Sequence, residues 1–187
     1  MQKILPNVYY FVDTFNLSDL LKLSRNLNII YRNYNDFDHF KNLSKLKSFC
    51  KKNNNKLYLS NDIKLALKLG LNGVYLPSFN NRLNHAGKHS LPKNFKIIGS
   101  AHNIKEIRIK EAQQCSEIFL SPLFLTKNYQ KCLGIIKFNL LSMNSKKKIV
   151  ALGGIRKENL KKISLLKIIS GVAGITLFKK KAPEGAF

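Results

Sequence analysis

The sequence has no tryptophan, three cysteines, five prolines and ten acidic residues among its 187 positions. Cys50, Cys115 and Cys132 are scattered and odd in number, so they frame neither a disulfide scaffold nor a CxxC metal site. A reducing cytoplasm is the expected location. No apolar run approaches the roughly 20 residues that span a bilayer, and the opening MQKILPNVYY lacks a signal-peptide core. A membrane is therefore not an expected partner. Paired histidines, a Ser/His/Asp set and P-loop spacing are all missing, which leaves those chemistries without a motif.

The shortage of acids leaves 33 lysines and arginines unbalanced, for a net charge of +23. Clustered cations bind nucleic acid by releasing counterions from phosphates. Here the excess is nearly all lysine, with arginine confined to Arg25, Arg32, Arg82, Arg108 and Arg156. Phosphate and base readers favour the bidentate guanidinium. The lysines are also spread along the chain beside many Asn and Ile, as an AT-rich coding bias produces. Nucleic acid is accordingly not an expected partner. At 44% hydrophobic residues the chain can bury a core, which excludes wholesale disorder. Its length fits one domain over residues 1–187, with no linker or repeat to divide it.

What is abundant is alternation. Short apolar runs predict strands at Val8–Asp13, Asn28–Arg32, Lys56–Ser60, Gly73–Leu76, Lys96–Ser100, Glu117–Ser121, Lys148–Leu152 and Gly171–Ile175. Several, such as IIGS, IFLS and IVAL, are nearly continuous apolar segments, as strands buried on both faces should be. Helical patterns fall between them at Ser18–Arg25, Asp36–Lys51, Asp62–Leu69, Ile104–Gln114, Phe138–Met143 and Glu158–Leu165. Phe79 to Pro92 predicts a short helix or loop. The expected fold class is α/β, a single compact TIM (β/α)8 barrel with a short last helix after Ile175. In such barrels the chemistry sits at the C-terminal strand ends, with phosphate near the last two loops.

Those ends carry a restricted set of polar groups. Arg32 closes IIYR and is either a rim residue or an anion ligand in the barrel mouth. Asp62 is a helix cap by position, and as a hard oxygen donor also a candidate Mg²⁺ ligand. Gly153 and Gly154 form either a tight turn or a backbone cradle for phosphate, and the glycines of GVAGI, Gly171 and Gly174, could share that anion. His102 reads as a hydrogen-bonded rim residue. SPLFLTKNYQKCLG, from Ser121 to Gly134, reads as a loop able to fold over a substrate.

In order, the segments FVD, YRN, LSND with GLNGVYLP, IIGSAH, SPLFLT, VALGGI and GVAGI resemble the thiamine phosphate synthase/TenI family from about Tyr9 to Ile175. The resemblance implies a transferase of thiamine biosynthesis. Such an enzyme joins hydroxymethylpyrimidine diphosphate to thiazole phosphate and releases diphosphate with Mg²⁺ assistance. It implies that Arg32 binds diphosphate, that Asn61 and Asp62 form the asparagine–aspartate pair with Asp62 on the metal, and that Ser100 and Thr126 line the site. Gly153, Gly154 and the Gly171–Gly174 region match the thiazole-phosphate loops. The family pattern is broken where a lysine becomes Tyr34, an aspartate Asn80, a histidine Tyr75, and the lid threonine and lysine Asn128 and Tyr129. Lys127 or the neighbouring Lys131 is the expected substitute for the missing lid cation. The tautomerase branch fits less well, its catalytic histidine falling at Pro122. The alternative is a catalytically degenerate member that binds a thiamine-related phosphate. Oligomeric state is left open.

Overall fold

Strands that are apolar on both faces need cover on both, and a closed ring of strands wrapped by helices supplies it. A computed structural model describes residues 7–23, 26–34, 39–83, 91–126 and 130–174. Its strands are β1 Asn7–Val12, β2 Asn28–Tyr31, β3 Lys56–Ser60, β4 Gly73–Leu76, β5 Lys96–Ala101, β6 Glu117–Leu120, β7 Lys148–Leu152 and β8 Gly171–Gly174. Between them lie α1 Leu17–Leu21, α2 His39–Lys52, α3 Ile63–Lys68, α4 Ile104–Ala112 and α5 Gly134–Met143, and a 3-10 helix over Lys157–Leu165. Each strand pairs in parallel with the next, and β8 returns to β1 with Tyr9 beside Ala173. The result is the expected eight-stranded barrel. Among the described residues no helix is long and apolar enough to cross a membrane.

The strand ends lie within about a residue of those expected, because the apolar runs define them. The helices differ more. α4 stops at Ala112, short of the expected Gln114, because Gln114 takes a left-handed φ of 58° that helical backbone does not continue. α5 begins at Gly134, not Phe138, since the Leu133 and Gly134 amides donate to Pro122 and Leu123 and dock the helix start on the β6 loop. The helix after β7 is 3-10 rather than α. Of Phe79 to Pro92, the described part is loop. Ile175 and the expected last helix lie outside the described residues.

Alternate residues of the strands point inward. Tyr9 and Phe11 of β1, Tyr58 of β3, Tyr75 of β4 and Phe119 of β6 join Ile30, Ile98, Val150 and Ala173 in one buried cluster that fills the lumen. The rings meet edge to face: Tyr9–Phe119 at 4.7 Å, Phe11–Tyr75 at 5.3 Å and Tyr75–Phe119 at 5.5 Å. Such pairs add about 0.5–1.5 kcal/mol each beyond area burial. The residues between them face outward onto the helices, as Ile118, Leu120, Ile149 and Ala151 do in the largest outer cluster. At the N-terminal end of the barrel, buried Glu117 meets Lys96 at 3.7 Å. Polar groups at the other end are the ones free for chemistry.

Phe119 touches three of the lumen rings, so its removal leaves a cavity that cannot collapse. Phe119→Ala should cost about 3–5 kcal/mol in urea unfolding, with the slope unchanged.

Candidate active site at the C-terminal end of the barrel

Because all eight strands are parallel, their C-terminal ends share one rim. Arg32, Asn61, Asp62, Gly153 and Gly154 follow β2, β3 and β7 there, and Thr126 lies on the loop after β6. Ser100 sits inside β5 one residue before its end, buried, with Ile98 and Ser100 on the lumen side. Phe11 forms the floor. The Arg32 guanidinium stands 5.0 Å from the Phe11 ring centroid, a cation–π contact that holds the charge over the mouth. Tyr34, where the family pattern has a lysine, is committed elsewhere. Its hydroxyl shares a hydrogen bond with the Ser60 hydroxyl at 2.8 Å, and its ring meets the Phe79 ring edge-on at 6.0 Å.

The loop after β4 faces the loop after β3. Asn61, at a left-handed φ of 63° that asparagine tolerates, turns the chain out of β3. Its side-chain oxygen accepts from the Asn80 amide at 2.7 Å. Asp62 caps α3, accepting from the Leu65 amide at 2.9 Å, so the capping role expected of it is met. A cavity of about 600 Å³ opens between these loops, lined by Asn61, Asp62, Lys64, Phe79, Asn80 and Arg82 among others.

What fixes the β4 loop is a group that does not stand out in the sequence. Lys110 of α4 is fully buried, and its ammonium donates to the Pro77 carbonyl (2.8 Å), the Asn80 carbonyl (2.8 Å) and the Gln113 side-chain oxygen (2.9 Å). Gln113, also buried, donates in turn to the carbonyls of Asn80 and Arg82, both at 2.8 Å. Three oxygen acceptors are what an ammonium needs when it leaves water. The available signal was periodicity: Lys110 lies three residues after buried Ile107, on the core face of its helix.

Elsewhere on the rim the expected residues separate. Gly153 and Gly154 have φ of 95° and 67°, and a Cβ on Gly154 would stand 2.6 Å from the Phe124 carbonyl oxygen. Both glycines are therefore required by the β6 loop packed against them, and the Phe124 amide donates to the Gly153 carbonyl at 3.0 Å. Gly174 ends β8 at this rim beside Tyr10, but Gly171 begins β8 and lies at the opposite end. The shared phosphate site expected of both GVAGI glycines therefore loses Gly171. Its place is set instead by close packing, since a Cβ there would collide with the Asn7 carbonyl oxygen. His102 is the rim residue expected, its Nδ1 2.7 Å from the Ser121 carbonyl oxygen. The Thr126 hydroxyl is buried with no hydrogen-bond partner among the described residues. Lys127, Asn128 and Tyr129 lie outside the described residues.

A resident divalent ion does not fit this donor set. Mg²⁺ asks for near-octahedral oxygen ligation, drawn from carboxylates, waters and substrate phosphates. Among the described residues Asp62 is the one carboxylate lining the cavity, and Lys64 and Arg82 line it too. The side-chain oxygens of Asn61 and Asn80 already accept from the Asn80 amide group and the Arg82 backbone amide. Among the described residues no group of three or more His, Cys, Asp or Glu side chains could hold a metal.

A family model described as thiamine monophosphate synthase matches residues 23–179. A thiamine-phosphate synthase of Prochlorococcus marinus (strain SARG) is 33% identical over 121 residues, which is 63% of this chain and 34% of that protein. Another, from Prochlorococcus marinus subsp. pastoris, is 31% identical over 150 residues, 76% of this chain and 42% of that protein. The chain thus spans between about a third and a half of the length of the curated relatives it matches. Among solved structures, thiamine phosphate pyrophosphorylase from Pyrococcus furiosus is similar with a TM-score of 0.74 at 16% identity, over 94% of this chain and 89% of that one. A KDPG aldolase from Legionella pneumophila has a TM-score of 0.63 at 16% identity, over 91% and 82%. Both structural likenesses are of the fold.

The Lys110 clamp has a pH signature. Burial pushes its ammonium from the usual 10.5 down to about 8, with Cys115 and Glu106 acting the other way. Between those values the unfolded chain keeps a proton that the folded chain has released, so this group makes stability rise with pH there. Urea midpoints measured from pH 8 to pH 10.5 should rise more steeply in the native chain than in Lys110→Met.

Proposed function

Because the chain belongs to the thiamine monophosphate synthase family, we propose that it joins a hydroxymethylpyrimidine diphosphate to a thiazole phosphate, giving thiamine phosphate and diphosphate. The observation that supports this most is the Arg32 guanidinium held over Phe11 at the mouth of a closed barrel, within the matched region. The bond from the pyrimidine methylene to the diphosphate oxygen breaks, and the diphosphate leaves with the electron pair. The thiazole nitrogen then forms the new carbon–nitrogen bond to that methylene. Little acid or base chemistry is needed; charge neutralisation and positioning do most of the work.

In this reading Arg32 stabilises the charge that develops on the departing diphosphate. Asn61 and Ser100 orient the pyrimidine side, and the Thr126 hydroxyl, buried without a partner among the described residues, is available to the substrate. Lys127 adds a cation from the loop after β6. The backbone around Gly153 and Gly154, with Gly174 on the neighbouring strand, receives the thiazole phosphate. A Mg²⁺ ion carried in on the diphosphate would find Asp62 as the one carboxylate in the cavity among the described residues.

Purified chain given both substrates and Mg²⁺ should form thiamine phosphate, followed by chromatography of the product. Arg32→Met should lower kcat/KM by about a hundredfold or more, the usual cost of losing one charge-assisted contact to a developing anion. No product from ample native protein would reject the activity.

A further inference from the structure

We infer that the cavity between α3 and the β4 loop binds a diphosphate-bearing substrate directly, through the side chains of Lys64 and Arg82, without a protein-held metal ion. The inference rests on the reading above only for what the anion is. The cavity itself is built for negative charge: among the described residues Lys64 and Arg82 line it against the single carboxylate of Asp62. That carboxylate has one oxygen engaged with the Leu65 amide. Asn61 and Asn80 complete the lining, and their side-chain amide N–H groups are donors of the kind that phosphate oxygens accept from.

Arg82 is not on a loose tether. Its backbone amide donates to the Asn80 side-chain oxygen at 3.0 Å, and its carbonyl accepts from Gln113 at 2.8 Å. The Arg82 backbone is thus fixed on both sides of its Cα, and the exposed planar guanidinium that it carries can meet phosphate oxygens in pairs. Behind the loop, the buried Lys110 ammonium adds a third positive charge, 2.8 Å from the Asn80 carbonyl. A divalent cation entering the cavity meets two lining cations, Lys64 and Arg82, against the Asp62 carboxylate. A diphosphate is attracted by both of those cations. The neighbouring rim position offers no alternative cation at Tyr34, whose hydroxyl is bonded to Ser60. Lys64 and Arg82 are exposed, so they are free to move onto a ligand, and replacing them leaves the core intact.

Calorimetry with inorganic diphosphate in EDTA tests this on the full chain. The native protein should bind, and its affinity should fall as salt rises. Lys64→Met and Arg82→Met should each weaken binding about tenfold, and Arg82→Lys should restore part of the loss. Lys137→Met, an exposed lysine on α5, should leave affinity unchanged, which separates the cavity from the general basic surface. Circular dichroism should be identical in all four variants. Binding that appears only when Mg²⁺ is added would overturn the inference. So would equal affinity in the native chain and both methionine variants, or an equal loss in Lys137→Met. The measurement uses no turnover and is separate from the assay above: diphosphate bound in EDTA by a chain that forms no thiamine phosphate when given both substrates and Mg²⁺ would reject the transferase reading and leave this inference standing.

Discussion

The packed lumen of the barrel decides what the rest of the molecule can do. Eight short parallel strands enclose a space that only side chains can fill. Here it is filled by rings from β1, β3, β4 and β6, locked edge to face. No polar group can work inside that core without losing its solvation. The chemistry is therefore confined to a rim whose floor is the topmost ring, Phe11, and whose first cation, Arg32, rests on that ring.

The loops above the floor owe their shape to buried polar contacts more than to apolar packing. Lys110 and Gln113 grip the β4 loop at the carbonyls of Pro77, Asn80 and Arg82, and α4 is in turn anchored by buried Ile107. Across the barrel, the β6 loop is pressed onto Gly153 and Gly154 so closely that side chains at those positions would strike it. One side of the rim is thus held by an ammonium and the other by the absence of a Cβ. Both devices fix backbone, and backbone sets where Asn80, Arg82 and Thr126 stand on the rim.

Much of this was legible in the residues. Runs such as KIVAL and EIFL can only be strands buried on both faces, and their number and spacing give the barrel and its functional end. Arg32, Asn61 and Asp62 follow strands directly, so their placement at the rim follows from the topology. Lys110 was less legible, because a lysine in a lysine-rich chain reads as a solvated face. Its burial depends on carbonyls about thirty residues away in the chain. Gly171 was open to the wrong reading for a related reason: glycine marks a close approach but not which end of a strand it serves.

The net charge of +23 shows the same division. Composition and local pattern determined that the chain is basic, that its excess is lysine, and that it carries eight buried strands with helices between them. They suffice for that, since burial on two faces leaves its mark within each segment. Only the tertiary structure decided which few charges matter. Lys110 became an internal clamp, Arg32 a cation over an aromatic floor, and Lys64 and Arg82 the lining of one cavity. Those roles depend on which loops meet across the barrel, and contact between distant segments is not written in any one of them.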